Sequence, residues 1–249
     1  MNKILKVNTR TGEIMWQTCS DEDLMRGGRS FIAHHFLKEV DPRCEPLGRS
    51  NKLIIAAGLL GDTPVTTAGR LSLGGKSPLT GGIKESNVGG AAGKRMAELG
   101  LKAVLLEDAP DSPEPRYLLI RKDHAELKDA PDLRGMETSE TLKYLRTRFG
   151  DKSGLLCIGP AGEMGLTAAC VATTDHKGVQ LRVAGRGGLG AVMGVKGIKA
   201  VVIDAGAAEP ANPADRAALI YQVGDHLPRN RFSFLELTET EIARGQNTQ

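Results

Sequence analysis

The feature that most constrains this chain is that its pattern restarts about a hundred residues in. Residues 51–63, "NKLIIAAGLLGDT", are echoed at 153–165 by "SGLLCIGPAGEMG", with Gly159 standing 101 positions after Gly58. Residues 88–108, "VGGAAGKRMAELGLKAVLLED", are echoed at 186–204 by "RGGLGAVMGVKGIKAVVID", with Ala200 standing 97 positions after Ala103. Both halves carry one order: apolar strand, glycine turn, polar middle segment, Gly-Gly, helix, Gly-x-Lys-Ala-Val and an acid. Solenoids need three or more copies to bury their faces, so two copies predict a pseudo-two-fold domain. The repeats run over about 1–110 and 111–205.

The remaining punctuation fits an α+β, β-rich domain. Asn8 to Gly12 is a hairpin turn inside an alternating stretch, and 115–133 reads as a second hairpin. Ser20 is placed to cap a short helix through Leu24 and Met25, broken by Gly27-Gly28. An amphipathic helix follows from Ser30 to about Val40, stopped by Pro42. On it, His35 and Glu39 have i,i+4 spacing, which reads as a surface hydrogen bond before it reads as a metal site. A helix from about Gly90 to Leu99 and another ending at Gly150 complete the expected elements. From 206 to 249 the character changes to a Pro/Ala linker and the incomplete start of a following helical domain.

Composition narrows the function classes. The chain carries a net charge of +3 with scattered basic residues, which argues against nucleic-acid binding. No run of about 18 apolar residues or signal-like leader occurs, so neither a membrane span nor export is expected, and the cytoplasm is the expected compartment. Cys19, Cys44, Cys157 and Cys170 form no C-x-x-C pair, so local spacing supplies no four-thiolate cluster or zinc site, and buried free thiols are expected. Glycine is abundant and aromatics make up only 4%, which favours close backbone approaches over an aromatic platform.

The glycine turns suggest what is approached. A helix start exposes about four unpaired N–H groups and roughly half a positive charge. A glycine pair ahead of it lets a phosphate oxygen reach the backbone, as "NVGGAAG" and "AGRGGLG" would allow. Arg70 precedes the first turn, and Arg182 and Arg186 bracket the second, adding planar donor forks suited to phosphate. The plain alternative is that the glycines serve only tight turns and helix–strand packing. A dinucleotide-binding loop fits poorly, because its glycines directly follow the first strand of a βαβ unit and it leaves the duplication unexplained.

Together, "NKLIIAAGLLGDTPVTTAGR", "KSPLTGGIKESNVGG", "GLKAVLLED", "CIGPAGE" and "RVAGRGGLGAVMGVKGIKAV" resemble the N-terminal domain of the aldehyde ferredoxin oxidoreductase family over about residues 1–205. The resemblance implies a β-rich, pseudo-symmetric base carrying tungsten (or molybdenum) held by two molybdopterins, one pterin phosphate per half, with Mg2+ bridging the phosphates. Transferred by position, Arg70, Asn87 and Gly89 would contact the cofactor from the first half, and Arg182, Val183, Gly185 and Arg186 from the second. The carbonyls of Asn87 and Val183 would be the magnesium ligands. Val183 replaces a smaller residue usual there, which a main-chain carbonyl tolerates, and the approach "DHKGVQLRVAG" is longer than is usual in the family.

The family's [4Fe-4S] cysteines and acid/base residues lie in later domains and have no counterpart here, so no catalytic residue is assigned. The resemblance therefore implies an oxidoreductase base domain, inactive alone. It would be a fragment, a truncated product or one subunit of a split enzyme, acting with the remaining domains or a partner subunit and with ferredoxin as electron acceptor. The alternative is a non-catalytic phosphate- or nucleotide-binding or partner-assembly module.

Overall fold

A computed structural model describes residues 1–61, 63, 68–175, 177–178 and 181–206. The expected linker and helical start lie outside the described residues from 207 onward. Two mixed six-stranded sheets with few helices make up the described chain. The first sheet contains β1 (Lys3–Asn8), β2 (Ile14–Thr18), β3 (Leu53–Ala57), β4 (Leu71–Lys76), β5 (Ile83–Val88) and β6 (Leu101–Glu107). The second contains β7 (Arg116–Ile120), β8 (Ala125–Asp129), β9 (Gly154–Cys157), β10 (Val171–Thr174), β11 (Leu181–Ala184) and β12 (Ile198–Ile203).

Their orders are β2-β1-β6-β3-β4-β5 and β11-β10-β9-β12-β7-β8. Read from opposite ends, these are one topology used twice. β1 pairs in parallel with β6 as β7 does with β12, while every other pairing is antiparallel. The fold is thus a duplicated, β-rich α+β domain.

The longer helices sit between equivalent strands. α1 (Asp21–Leu24) and α2 (Gly28–Glu39) lie between β2 and β3, and α4 (Thr138–Phe149) lies between β8 and β9. α3 (Ala91–Glu98) lies between β5 and β6, and α6 (Leu189–Val195) between β11 and β12. The four-residue α5 (Pro160–Glu163) occupies the turn after β9. Ser20 caps α1 in a reciprocal capping box with Asp23. α2 starts at Gly28, two residues earlier than expected. Gly28 takes a positive φ of 50° as the first residue of the helix and does not end the segment, a conformation open to glycine.

Strand alternation explains the layers. In β3, Leu53 and Ile55 face a central core shared with Leu156, Ile158 and Val201 of the second sheet and with Met96 of α3 and Met193 of α6. Ile54 and Ala56 face Phe31, Ile32 and Phe36 of α2. On the second sheet's other face, Leu155 and Cys157 pack with Leu142 and Leu145 of α4. Strands covered on both faces must be apolar throughout, and the unbroken runs "LIIAA" and "GLLC" are.

The recurring Gly-x-Lys-Ala-Val now has a cause. The β1–β6 ladder skips Lys102 and the β7–β12 ladder skips Lys199, so each lysine is the extra residue of a bulge. The bulge puts Leu101 and Val104, and likewise Ile198 and Val201, on the same inner face. Both lysines are buried. The Lys102 ammonium donates to the Leu24 carbonyl at 3.2 Å, and that of Lys199 to the Met136 carbonyl at 2.6 Å and to Glu163. Gly100 and Gly197, just ahead, turn the chain at φ values of 67° and 68°. No helix among the described residues is long and apolar enough to cross a membrane.

Candidate functional site

The outermost strands β5 and β11, each an edge of its sheet, meet one another. The backbone N–H of Arg186, just past β11, donates to Ser86 Oγ on β5 at 3.2 Å. Every sequence-derived candidate lies at this meeting of edges. Arg70 immediately precedes β4, and its Nε donates to the side-chain oxygen of Asn87 on β5. A Cβ built on Gly89 would have only Arg70 Nη1 nearby, at 3.4 Å. Arg182 and Val183 lie on β11, both exposed, and Gly185 and Arg186 follow it in the open.

Register makes the two halves directly comparable. Asn87 pairs with Ser72, the second residue of β4, and Val183 pairs with Ala172, the second residue of β10. Asn87 and Val183 are therefore the same position in the two repeats, on edge strands whose outer carbonyls lack a sheet partner. Gly89 and Gly185 are likewise equivalent.

The glycines divide into two kinds. A Cβ on Gly185 would meet nothing within 4 Å. A Cβ on Gly90, which precedes α3, would lie 2.2 Å from the Thr174 carbonyl oxygen of the other repeat. One on Gly188, which precedes α6, would lie 1.9 Å from the Thr167 carbonyl oxygen and 3.0 Å from Pro78. Gly187 is closed off by Lys84, whose Cβ is 2.7 Å from the same ideal position. At Gly90, Gly187 and Gly188 the space a Cβ would need is filled by protein, so these glycines serve packing. The open backbone lies at Gly89 and Gly185, at the strand ends.

Sequence reasoning missed the support beneath Asn87. Asn87 Nδ2 donates to Ser72 Oγ at 3.2 Å, and Ser72 Oγ donates to Glu85 Oε1 at 2.6 Å. Arg29 from α2 closes on Glu85 Oε2 at 3.1 and 3.3 Å through Nη2 and Nε. Period-two alternation in "KESNV" puts Glu85 and Asn87 on one face, which was the available signal. Only the β4–β5 register could add Ser72. Beside them Arg29, Ile32, Ile83, Lys84 and Arg186 line a shallow cleft with a cationic rim.

His35 is buried, not at the surface as expected, with Nε2 2.9 Å from Asp23 and Nδ1 2.9 Å from Glu39. The hydrogen bond with His35, joined by Lys52, holds Glu39 down to about 2. Among the described residues no group of three His, Cys, Asp or Glu side chains converges as a metal site. The thiols are free; Cys19 and Cys157 are buried as expected, but Cys44 and Cys170 are only half-buried. Burial pushes Cys157 up to about 12.

The site can thus hold an anion with guanidinium forks and open backbone at two equivalent places, without interference from a Cβ. A dinucleotide reading fails on topology. β11, α6 and β12 form no parallel βαβ unit, because β10 and β9 lie between the two strands in a run of antiparallel pairings.

Comparison with known proteins bears on what the anion belongs to. The profile of the aldehyde ferredoxin oxidoreductase N-terminal domain matches residues 4–205. The tungsten-containing aldehyde ferredoxin oxidoreductase of Pyrococcus abyssi is 41% identical over 204 residues, 81% of this chain and 32% of that protein. The WOR-like subunit of an aliphatic sulfonate oxidoreductase from Pyrococcus furiosus is 28% identical over 218 residues, 80% of this chain and 34% of that one. Among solved structures, the active site complex BamBC of benzoyl coenzyme A reductase superposes with a TM-score of 0.78 at 29% identity. The match covers 93% of this chain and 36% of that one. The chain spans about a third of the length of the curated relatives it matches.

Proposed function

Given that the chain belongs to the aldehyde ferredoxin oxidoreductase family through its N-terminal domain, we propose that it is the base on which a tungsten bis-molybdopterin cofactor rests. The observation that carries this reading is the equivalence of Asn87 and Val183, one on each of two edge strands that touch. A cofactor with two phosphates needs two like sites a short distance apart, and a duplicated domain supplies them. The residues present suit such a group. Arg70 holds one phosphate over Gly89, and Arg182 and Arg186 hold the other over Gly185, each fork matching phosphate geometry. The main-chain carbonyls of Asn87 and Val183 hold the Mg2+ between them, a hard cation suited to oxygen ligands.

When bound, the tungsten centre supplies the two-electron oxidation of an aldehyde to a carboxylic acid, with the electrons leaving through a [4Fe-4S] cluster to ferredoxin. This chain's part is to bind, neutralise and orient the cofactor's phosphates. The cluster cysteines and the acid/base residues belong to the remaining domains or to a partner subunit. A subunit arrangement is supported by the relatives, one of which is described as a subunit and another as an active site complex.

The test is to co-express the chain with a partner that carries the cluster cysteines and to measure bound metal. Arg182→Ala combined with Arg186→Ala is expected to abolish tungsten or molybdenum retention while the fold persists. Unchanged metal content would sink the phosphate-clamp assignment.

A further inference from the structure

The hydrogen bonds beneath Asn87 form a line with only one consistent direction. Arg29 has donors alone and Glu85, as a carboxylate, has acceptors alone, so this end of the line is fixed. The Ser72 hydroxyl has one proton, and the 2.6 Å contact with Glu85 takes it. Ser72 Oγ is then left to accept, and only the NH2 of Asn87 can give to it. The amide is thereby held with its oxygen turned to Arg70, where it accepts from Nε. Arg70 thus commits Nε and keeps its two terminal nitrogens, with Nη1 beside the open backbone of Gly89.

We propose that Glu85 is a positioning residue for the anion-binding arginine, setting the orientation of the Asn87 amide through Ser72 and so aiming the Arg70 fork. The proposal rests on the reading of Arg70 as a phosphate ligand and adds the residues that aim it. Among the described residues the second repeat has no equivalent line. The register positions of Glu85, Ser72, Asn87 and Arg70 are held there by Leu181, Ala172, Val183 and Cys170. The side chain of Glu85 is 9% exposed, so a carboxylate has been buried at this spot and supplied with partners on both oxygens.

Replacing Glu85 by glutamine keeps the shape and breaks the direction. With the glutamine oxygen facing Arg29, its NH2 faces Ser72. The hydroxyl proton then turns to Asn87, and the amide flips its NH2 towards Arg70. The experiment uses the 15N-labelled full chain. It follows the Arg70 Nε–H signal, assigned by its loss in Arg70→Lys, and titrates inorganic phosphate. In Glu85→Gln the Nε–H should exchange with water at least about five-fold faster, and phosphate should bind about five-fold more weakly, the scale of one hydrogen bond. Ser72→Ala should do the same, and it carries the test if Glu85→Gln does not fold. Arg29→Ala leaves the direction intact and should change neither readout by more than about two-fold.

An Arg70 signal unchanged in both Glu85→Gln and Ser72→Ala would overturn the proposal. An equal effect from Arg29→Ala would also overturn it, by showing a charge effect in place of a directional one. If the native chain takes no phosphate at Arg70, the phosphate-site reading fails, while the exchange rates still decide whether Glu85 aims the arginine.

Discussion

The first repeat builds its side of the edge meeting from a hydrogen-bonded line of side chains, whereas the second has no such line and a longer turn that carries an arginine. In the first, Arg70, Asn87, Ser72 and Glu85 form a polar line across β4 and β5. In the second, the same places hold Cys170, Val183, Ala172 and Leu181, and none of these side chains offers a charged group. The second repeat instead lengthens its turn. α3 begins two residues after Gly89, whereas α6 begins four after Gly185, and the inserted stretch carries Arg186. Duplication kept the strands, the bulges and the open glycines, because each is dictated by the ladder. The arginines differ between the halves: Arg70 precedes the inner strand β4, whereas Arg182 lies on and Arg186 just past the edge strand β11. The two halves also differ beneath the surface: Lys196 stands where the first repeat has Leu99, equally buried.

Three experiments would break or sharpen this comparison. The largest effect is expected from separating the two kinds of glycine. Gly188 sits at a φ of 66°, and an added Cβ there is forced onto the Thr167 carbonyl. Gly188→Ala should therefore cost about 3 to 5 kcal/mol in urea denaturation. Gly185 has open space around it. Gly185→Ala should shift stability by no more than about 0.5 kcal/mol, while impairing metal retention in the assembled enzyme. Equal stability losses would show that both turns are packing devices.

Next comes the bulge. Lys199→Ala removes a buried ammonium from the Met136 carbonyl and from Glu163. It should cost about 3 kcal/mol, read as a lower denaturation midpoint with unchanged slope. If the loss is below about 1 kcal/mol, the lysine is an occupant of the bulge and not its support.

The smallest effect concerns Lys196. Burial pulls it down to about 8. Its Nζ donates to the carbonyls of Asn51 at 2.6 Å and Asp108 at 2.8 Å, which a neutral amine can also satisfy. Between about 8 and the ordinary lysine value, the unfolded chain holds a proton that the folded chain lacks, so this group's stabilisation grows as pH rises and is lost as pH falls through about 8. Relative to Lys196→Met, the native chain should therefore gain about 2 kcal/mol across that window in stability curves at several pH values. A difference independent of pH would mean that the folded lysine titrates as it does in the unfolded chain.

Much of this was legible beforehand. The duplication, the hairpins, the glycine-punctuated helices and the covered strands all follow from local pattern, since period-two and period-3.6 signals and positive-φ glycines act over a few residues. The residues flanking the edge strands were also nameable, because the motif repeats around them. The polar line under Asn87 was not. Ser72 and Glu85 are 13 residues apart and meet only through the β4–β5 register. His35 read as a surface residue because its i+4 partner was visible, whereas its bond to Asp23 depends on how α1 sits against α2.

By itself, then, the sequence determined that one strand order would be used twice, and it marked the glycines that such a fold requires. Which of those glycines stands open was decided only in three dimensions. Gly188 and Gly185 are three residues apart in one motif, yet one is stopped by the Thr167 carbonyl and the other is open. The physical reason is that the clearance around a missing Cβ is set by whichever distant segment packs there, and that segment leaves no mark at the glycine.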